Sequence, residues 1–276
     1  MILAFDFGIT NTDLVVKDDQ IHYHTFPSLF SIQNKDGQLN EETVLGFIKK
    51  INLDVKKIHS IGVTGGKSAE LPDSIMDIPV IKINEIEAIG KGAKYIHNIK
   101  DESALIVSAG TGTACVYLHG NEASHLGGIA VGGGMLEGLS SLLFKKIDGI
   151  EINEFALKGN RKYLDIMLGD AVNEIGELSP EITAANFAKA KNTSEDTIEN
   201  VSAALCNMVG EVIGTVTYLN ALMVGLDKAY FIGRTHMLSE VKKGIDERLK
   251  LAGVSGEYNK DGAYANALGV LSILEN

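Results

Sequence analysis

The sequence contains few of the residues on which several classes of protein depend. Only two of its 276 residues are cysteines, Cys115 and Cys206, and neither belongs to a CxxC pair or to a His-containing cluster with zinc spacing. We therefore expect both to be reduced core residues. Lysine and arginine number 25 against 36 aspartates and glutamates, a formal net charge of −11. Because phosphate backbones are bound by clustered basic side chains, this balance argues against a nucleic-acid partner and favours a small molecule.

The first residues also lack the pattern of a signal peptide. The first residues run directly into an apolar strand without a basic n-region or a small-residue cleavage site, so we expect a cytoplasmic protein. Residues 201–225 are long and apolar enough to cross a bilayer, but Glu211 near their centre would be costly in lipid. We therefore predict that this segment is a buried helix of a soluble protein, with no membrane partner.

Apolar residues make up 45% of the chain, and no linker or low-complexity segment divides it. The sequence can therefore bury a large core, either in one domain or in two lobes that share a cleft. Its most informative feature is a hairpin that occurs twice, at residues 2–17 with a turn at 8–12, and at residues 104–118 with a turn at 109–113.

Each of these turns combines glycine with threonine. Glycines allow backbone N–H groups to approach phosphate oxygens, and threonine hydroxyls add further donors. One such turn alone would be interpreted as an ordinary hairpin. Two copies predict related phosphate-binding lobes that face each other, which we place at residues 1–100 and 101–276.

Helix and strand signals occur between and after the hairpins. Asn40 is predicted to cap a helix that has glutamates in its first turn and lysines in its last. Further strands are expected at 58–63, 80–83 and 229–232, and further helices at 135–144, 184–191, 199–225 and 263–274. Gly132, Gly133 and Gly134 precede one of these helices, where free N–H groups would suit a phosphate, although glycines there also serve close packing.

Short motifs follow one another in a fixed order along the chain: Asp6-Phe7-Gly8-Ile9-Thr10, Val63-Thr64-Gly65-Gly66, Asn84-Glu85-Ile86-Glu87-Ala88, Gly110-Thr111-Gly112-Thr113, Gly127-Gly128-Ile129-Ala130-Val131-Gly132-Gly133-Gly134-Met135, Thr183-Ala184-Ala185-Asn186-Phe187, Val209-Gly210-Glu211-Val212, Phe231-Ile232-Gly233 and Gly262-Ala263-Tyr264. In this order they resemble type II pantothenate kinases over nearly the whole chain. The resemblance implies an α/β, actin-like (ribonuclease H-like) ATPase fold with two duplicated lobes around a nucleotide cleft. It also implies ATP and Mg²⁺ in that cleft, and transfer of phosphate to the primary hydroxyl of pantothenate, the first step of coenzyme A biosynthesis.

The resemblance further implies a homodimer. The helix predicted over residues 199–225 supports this expectation, because it is apolar over more of its circumference than one lobe face requires. Such a helix is buried either within a core or between subunits.

Two carboxylates are expected to carry the chemistry. Asp6 follows the first strand, and its oxygens suit Mg²⁺, although an aspartate at this position also makes ordinary turn hydrogen bonds. Glu85 matches the carboxylate that takes the hydroxyl proton in the resembling family. Its alternative is structural, with Asn84 capping the helix, Glu87 closing a capping box and Glu85 merely complementing the helix dipole.

Other residues are expected to hold the nucleotide. The hydroxyls of Thr10, Thr111 and Thr113 should contact the β- and γ-phosphates. The remaining candidates are turn residues expected along the nucleotide: Gly8, Thr12, Gly110, Gly112, Gly132, Gly133, Gly134 and Gly233.

The sequence departs from the family's pattern at two places. Ile9 and Asp13 replace a glycine and a lysine of the first phosphate loop, so that an anion replaces a phosphate-binding cation; Asp13 either joins Asp6 near magnesium or faces solvent. His125 replaces the arginine expected to steady the transferring phosphate and the substrate. It is a candidate catalytic residue at that position, with a structural role as the alternative, and histidine lacks the guanidinium fork. Either the substrate differs or the enzyme is slow.

Three functions therefore stay open at this point. The first is a pantothenate kinase, and the second is an actin-like kinase for another small hydroxylated metabolite, such as a sugar derivative or a vitamin precursor. The third is a non-catalytic ATP-binding regulatory homologue. The presence of Glu85 argues against the third.

Overall fold

The computed structural model describes residues 1–28, 39–145, 149–172 and 179–275. Its first sheet has the order β3-β2-β1-β4-β6-β5. The strands of this sheet are β1 Ile2–Phe7, β2 Asn11–Lys17, β3 Ile21–Pro27, β4 Ser60–Thr64, β5 Ser74–Ile75 and β6 Ile78–Lys82. β1, β2 and β3 form an antiparallel meander, and β4 and β6 extend it parallel to β1.

The second sheet repeats this arrangement. Its strands are β7 Ser103–Ala109, β8 Thr113–His119, β9 Glu122–Ile129, β12 Lys228–Ile232 and β13 Ser255–Tyr258, in the order β13-β12-β7-β8-β9. β7, β8 and β9 form the antiparallel meander, and β12 and β13 run parallel to β7. The two hairpins predicted from the sequence are therefore equivalent parts of two similar sheets. A small separate ladder pairs β10 Ile166–Met167 with β11 Thr183–Ala185.

Helices cover both faces of the two sheets. They are α1 Glu41–Lys50, α2 Glu85–His97, α3 Gly133–Phe144, α4 Gly149–Ala156, α5 Leu168–Ala171, α6 Ile198–Val224, α7 Ser239–Leu251 and α8 Ala265–Leu274. The predicted cap of α1 is confirmed, because Asn40 Oδ1 accepts the Thr43 N–H at 3.0 Å.

The central strands are apolar on both faces because helices cover both. In β1, Leu3 and Phe5 belong to the core that includes α1, whereas Ala4, which points to the opposite face, belongs to the core formed with α8. In β7, Leu105 packs in the core with α6 and Ile106 in the core with α2. Cys115 and Cys206 are both free and buried in the α6 core, as predicted.

Two helices pack between the sheets, and each packs mainly against the sheet that is distant in sequence. α2 follows the strands of the first sheet but packs in the core of the second, whereas α8 packs on β1, β2 and β4. The two helices cross closely because Gly92 lies against the Ala265 carbonyl and Gly269 against the Ala88 carbonyl, where a Cβ has no room. The division at residue 100 stays a prediction, and this helix pair joins its two sides.

Helix α6 covers nearly all of residues 201–225, the segment predicted to be a buried helix and not a membrane span. Among the described residues it is the one helix that contains an 18-residue window long and apolar enough to cross a membrane. Of that window, 67% is buried inside the protein, including Glu211. We therefore interpret α6 as a core helix, as predicted. Its last turns expose Leu219, Leu222 and Met223.

The prediction of a helix over residues 184–191 is wrong. Thr183 to Ala185 form strand β11, and Phe187 then adopts a left-handed backbone with φ of 56°. Buried Asp165 accepts the Phe187 N–H at 2.8 Å and so fixes this turn. A residue with positive φ ends any helix, whatever the propensity of its neighbours.

Candidate active site

A cleft of about 610 Å³ opens where the turns of the two meanders face each other. The β1–β2 turn, the β7–β8 turn and the first residues of α2 and α3 all contribute to its walls. The two turns touch directly, because the hydroxyls of Thr10 and Thr111 are hydrogen-bonded at 2.8 Å. The fold therefore brings the two predicted phosphate loops to one place.

Most of the predicted nucleotide-binding residues line this cleft. They are Asp6, Gly8, Thr10, Gly110, Thr111, Gly112, Thr113, Gly133, Gly134 and Gly233. The Thr113 hydroxyl already donates to the Val131 carbonyl at 2.8 Å, which anchors the second loop. Gly233 has φ of 91° and is packed against the Ala109 carbonyl, so a larger residue would fit neither the backbone nor the space.

Two predicted residues lie outside the cleft wall. Thr12 is only 1% exposed. Because residues of a strand alternate between faces, Asn11 and Asp13 face the cleft and Thr12 faces away from it. Gly132 caps α3 and packs against the second loop, where a Cβ would lie 2.6 Å from the Gly110 carbonyl oxygen. For these two positions the structure favours packing over nucleotide contact.

Two N–H groups of the glycine triplet at the start of α3 are not free, although the sequence had predicted them to be. The Gly133 N–H donates to the Gly110 carbonyl at 2.8 Å, and the Gly134 N–H donates to the Thr111 carbonyl at 3.0 Å. These donors were expected to be free for a phosphate. They instead fix the start of α3 to the second loop, so the close-packing alternative explains the triplet better.

Asp6 lies at the base of the cleft at the end of β1. Asn266 of α8 donates to its Oδ2 at 3.1 Å, and Gly65, with φ of 74°, packs so close that a Cβ would lie 2.5 Å from its Oδ1. Burial, and then the charges of Asp13 and Glu85, raise the pKa of Asp6 from 3.8 to about 7, against the lowering effects of Asn266 and Arg234. A bound cation would relieve this repulsion.

Glu85 is the first residue of α2 and is exposed to the cleft. The helix start is capped by its neighbour, because Asn84 Oδ1 accepts the Ile86 N–H at 2.9 Å. The cap therefore does not require the Glu85 carboxylate, which is near enough to Asp6 to raise its pKa. The structural and the chemical interpretations of this helix start are compatible.

His125 lies on β9 opposite Val116, at an irregularity of the ladder, and its exposed side chain lines the cleft. The resemblance implies that the residue at this position contacts the transferring phosphate, and the His125 side chain is open to the cleft. A group of three or more His, Cys, Asp or Glu side chains placed to hold a metal is absent from the described residues. Mg²⁺ commonly relies on one or two carboxylates together with phosphate oxygens and water, and the single carboxylate of Asp6 fits that mode.

Among the polar cleft residues that the sequence interpretation missed, Arg234 and Asn266 make direct contacts with the two aspartates. Asp13 was expected either to join Asp6 or to face solvent, and it lies opposite Asp6 in the β1–β2 ladder and is buried. Its carboxylate forms a bidentate pair with Arg234, at 2.6 Å for both nitrogen–oxygen contacts. The position of Arg234 directly after Gly233 was the only sequence signal for its place in the cleft.

The duplicated sheets and the cleft between them define an α/β protein of the actin-like ATPase fold. Solved structures support this class. The activator of the 2-hydroxyisocaproyl-CoA dehydratase from Clostridium difficile with bound ADPNP superposes with a TM-score of 0.65 at 16% identity, over 99% of this chain and 94% of that chain. A ROK family glucokinase from Streptomyces griseus in complex with glucose and AMPPNP gives 0.59 at 12% identity, over 99% and 98%. At these identities the likeness concerns the fold alone.

Sequence comparison gives the family. The Fumble family model matches residues 103–242, just over half of the chain, and the chain belongs to this family. A type II pantothenate kinase of Staphylococcus epidermidis is 28% identical over 98% of this chain and 99% of its own length. One from Staphylococcus aureus is 28% identical over 87% of this chain and 93% of its own length. The resemblance seen in the motifs is therefore confirmed.

Proposed function

We propose that the chain is a cytoplasmic, ATP-dependent kinase that phosphorylates the primary hydroxyl of pantothenate, the first step of coenzyme A biosynthesis. The observation that carries the proposal is the contact between Thr10 and Thr111, which joins two phosphate loops in a cleft that also contains Asp6 and Glu85. The names of the relatives support the substrate.

The residues of the cleft suit phosphoryl transfer, in which positioning and charge compensation do most of the work. The glycine and threonine loops would hold the β- and γ-phosphates. Glu85 would accept the proton of the substrate hydroxyl while the hydroxyl oxygen bonds to the γ-phosphorus of ATP. The bond between the γ-phosphorus and the oxygen that bridges it to the β-phosphate would break at the same time, releasing ADP. Mg²⁺ bound at Asp6 would neutralise phosphate charge.

His125 favours a second candidate with the same chemistry and a different acceptor. An exposed histidine in the cleft wall offers neither the permanent charge nor the fork of the arginine that the resemblance implies there. Another small hydroxylated metabolite, such as a sugar derivative or vitamin precursor, would then be the substrate.

A homodimer is also part of this proposal. Leu219, Leu222 and Met223 are 53%, 58% and 65% exposed on the last turns of α6. Three large apolar side chains on adjacent turns of one helix form the kind of surface that a second subunit covers. The resemblance to a dimeric family points the same way.

ADP production from ATP, measured with a panel of acceptors that includes pantothenate, pantetheine and several sugars, tests the assignment. We expect pantothenate to give the highest kcat/KM, and Glu85→Gln to abolish most of that turnover. A higher kcat/KM for another alcohol would support the second candidate. ATP binding without turnover on any acceptor would favour a non-catalytic homologue.

A further inference from the structure

An ion pair in the cleft connects the two sheets. Asp13 lies on β2 of the first sheet, whereas Arg234 follows β12 of the second. The Arg234 Nη1 donates to Asp13 Oδ2 and its Nη2 to Asp13 Oδ1, both at 2.6 Å. Two parallel charge-assisted bonds of this kind fix the plane of the guanidinium as well as its position.

Neighbouring groups hold the pair in this one arrangement. The Thr25 hydroxyl lies 2.7 Å from Asp13 Oδ1 and accepts from Arg234 Nη2 at 2.9 Å. The ring of Tyr264 lies beside the guanidinium, with 5.6 Å between the Arg234 Cζ and the ring centroid. Both side chains line the cleft, but that of Asp13 is 5% exposed and that of Arg234 is 36% exposed, so the arginine is the more accessible partner.

The cleft contains little positive charge apart from this arginine. Arg234 is the only lysine or arginine among the described residues that line it, whereas the carboxylates Asp6, Asp13, Glu85 and Glu137 all do. The hydrogen bonds of Arg234 within the described chain use three of its five N–H donors. Two donors on a fixed, permanently charged group therefore remain for a ligand.

Both partners of the pair are attached to the predicted phosphate loops. Asp13 comes three residues after Thr10, whose hydroxyl contacts Thr111. On the other side, Thr235 donates to the Gly110 carbonyl at 2.7 Å and accepts the Gly133 N–H at 3.0 Å, which ties the Arg234 segment to the second loop. The guanidinium is thus held next to the place where the two loops meet.

We propose that Arg234 contacts the phosphates of the bound nucleotide and that Asp13 is the residue that positions it. This inference rests on the proposed function only in taking the cleft to be a nucleotide site. Its alternative is an ion pair that joins the lobes and has no ligand.

Calorimetric titration of the full chain with ATP, ADP and adenosine, in the presence of Mg²⁺, tests the proposal. Arg234→Met should weaken ATP and ADP about 10- to 100-fold, the usual effect of losing a charge-assisted hydrogen bond, and should leave adenosine affinity unchanged. Arg234→Lys should restore part of the loss, since it keeps the charge but not the fork. Equal weakening of all three ligands, or unchanged ATP affinity, would overturn the proposal.

Arg248→Met is the matched control. Arg248 also pairs with a buried carboxylate, with 3.0 Å between its Nη2 and Glu211 Oε1, but it does not line the cleft. This variant should destabilise the fold without selective loss of ATP affinity. Thermal unfolding of each variant without ligand separates the two effects.

The role proposed for Asp13 has its own test, which uses a substitution that keeps the carboxylate charge. Asp13→Glu moves the carboxylate by one carbon and should weaken ATP relative to adenosine, but only when Arg234 is present. If that variant does not fold, Thr25→Val replaces it, because it removes the hydroxyl that contacts both partners. A loss of ATP affinity that is equally large in an Arg234→Met background would overturn the role of Asp13.

These measurements are independent of the acceptor. Arg234-dependent ATP binding without pantothenate phosphorylation would leave this inference standing and remove the proposed substrate. Pantothenate phosphorylation with an unchanged KM for ATP in Arg234→Met would overturn this inference and leave the proposed substrate standing.

Discussion

Replacement of Asp6 by asparagine should stabilise the ligand-free protein. The pKa of Asp6 is raised from 3.8 to about 7, which corresponds to about 4 kcal/mol of unfavourable free energy for the ionised carboxylate in the fold. Water in the cleft screens part of this, so we expect Asp6→Asn to raise the free energy of unfolding by about 2 to 4 kcal/mol at pH 8. The asparagine carbonyl can still accept the hydrogen bond from Asn266.

The pH dependence follows from the direction of the shift. Between about pH 4 and pH 7 the folded protein retains a proton on Asp6 that the unfolded chain has released. The stability contributed by this group is therefore complete below pH 4 and is lost as the pH rises to 7. The gain in the free energy of unfolding from Asp6→Asn should therefore be largest at pH 8 and small at pH 5.

Urea unfolding in the presence of a chelator at the two pH values measures this effect. Asp13→Asn is the matched control, because the same chemical change there should destabilise the protein by leaving Arg234 without its partner. Equal stabilities of wild type and Asp6→Asn at pH 8, or a difference that grows at pH 5, would refute the reasoning. If Asp6 holds magnesium, the stabilised variant should also bind Mg-ATP more weakly.

Three further predictions concern turnover and assembly. Glu85→Gln should lower kcat about a hundredfold or more with ATP affinity nearly intact, the usual size of a lost general base; near-normal kcat would exclude that role. His125→Arg should raise kcat/KM for pantothenate about tenfold by supplying a charged fork; lost activity, together with a better alternative acceptor for the unchanged chain, would exclude pantothenate. Light scattering should give twice the 29.6 kDa of one chain, and Leu222→Asp should give a monomer; a monomeric unchanged chain at micromolar concentration would contradict the dimer.

The features that the sequence predicts well depend on neighbours in the chain. The two glycine–threonine hairpins, the Asn40 cap and helix α6 follow from local periodicity and capping, and the structure contains all of them. Thr12, by contrast, was predicted to contact the nucleotide, whereas the alternation along β2 turns Asn11 and Asp13 toward the cleft and buries Thr12. Strand geometry alone would have corrected that choice.

The features that the sequence did not predict depend on distant contacts. Arg234 meets Asp13 across 221 positions, and Asn266 meets Asp6 across 260. The helix expected at residues 184–191 fails because Asp165 binds the Phe187 N–H, a contact that local propensity does not contain. Charge compensation in the cleft is likewise a property of the folded chain.

The packing of α8 on the first sheet determines the order in which this protein can mature during synthesis. Residues 2–82 emerge from the ribosome before residues 265–274, so the face of their sheet that includes Ala4 and Val15 stays uncovered by α8 until the later residues follow. The same helix delivers Asn266 to Asp6, so the cleft acquires its final form only then. A nascent chain therefore cannot present a finished site to its substrates before residues 265–274 have been translated.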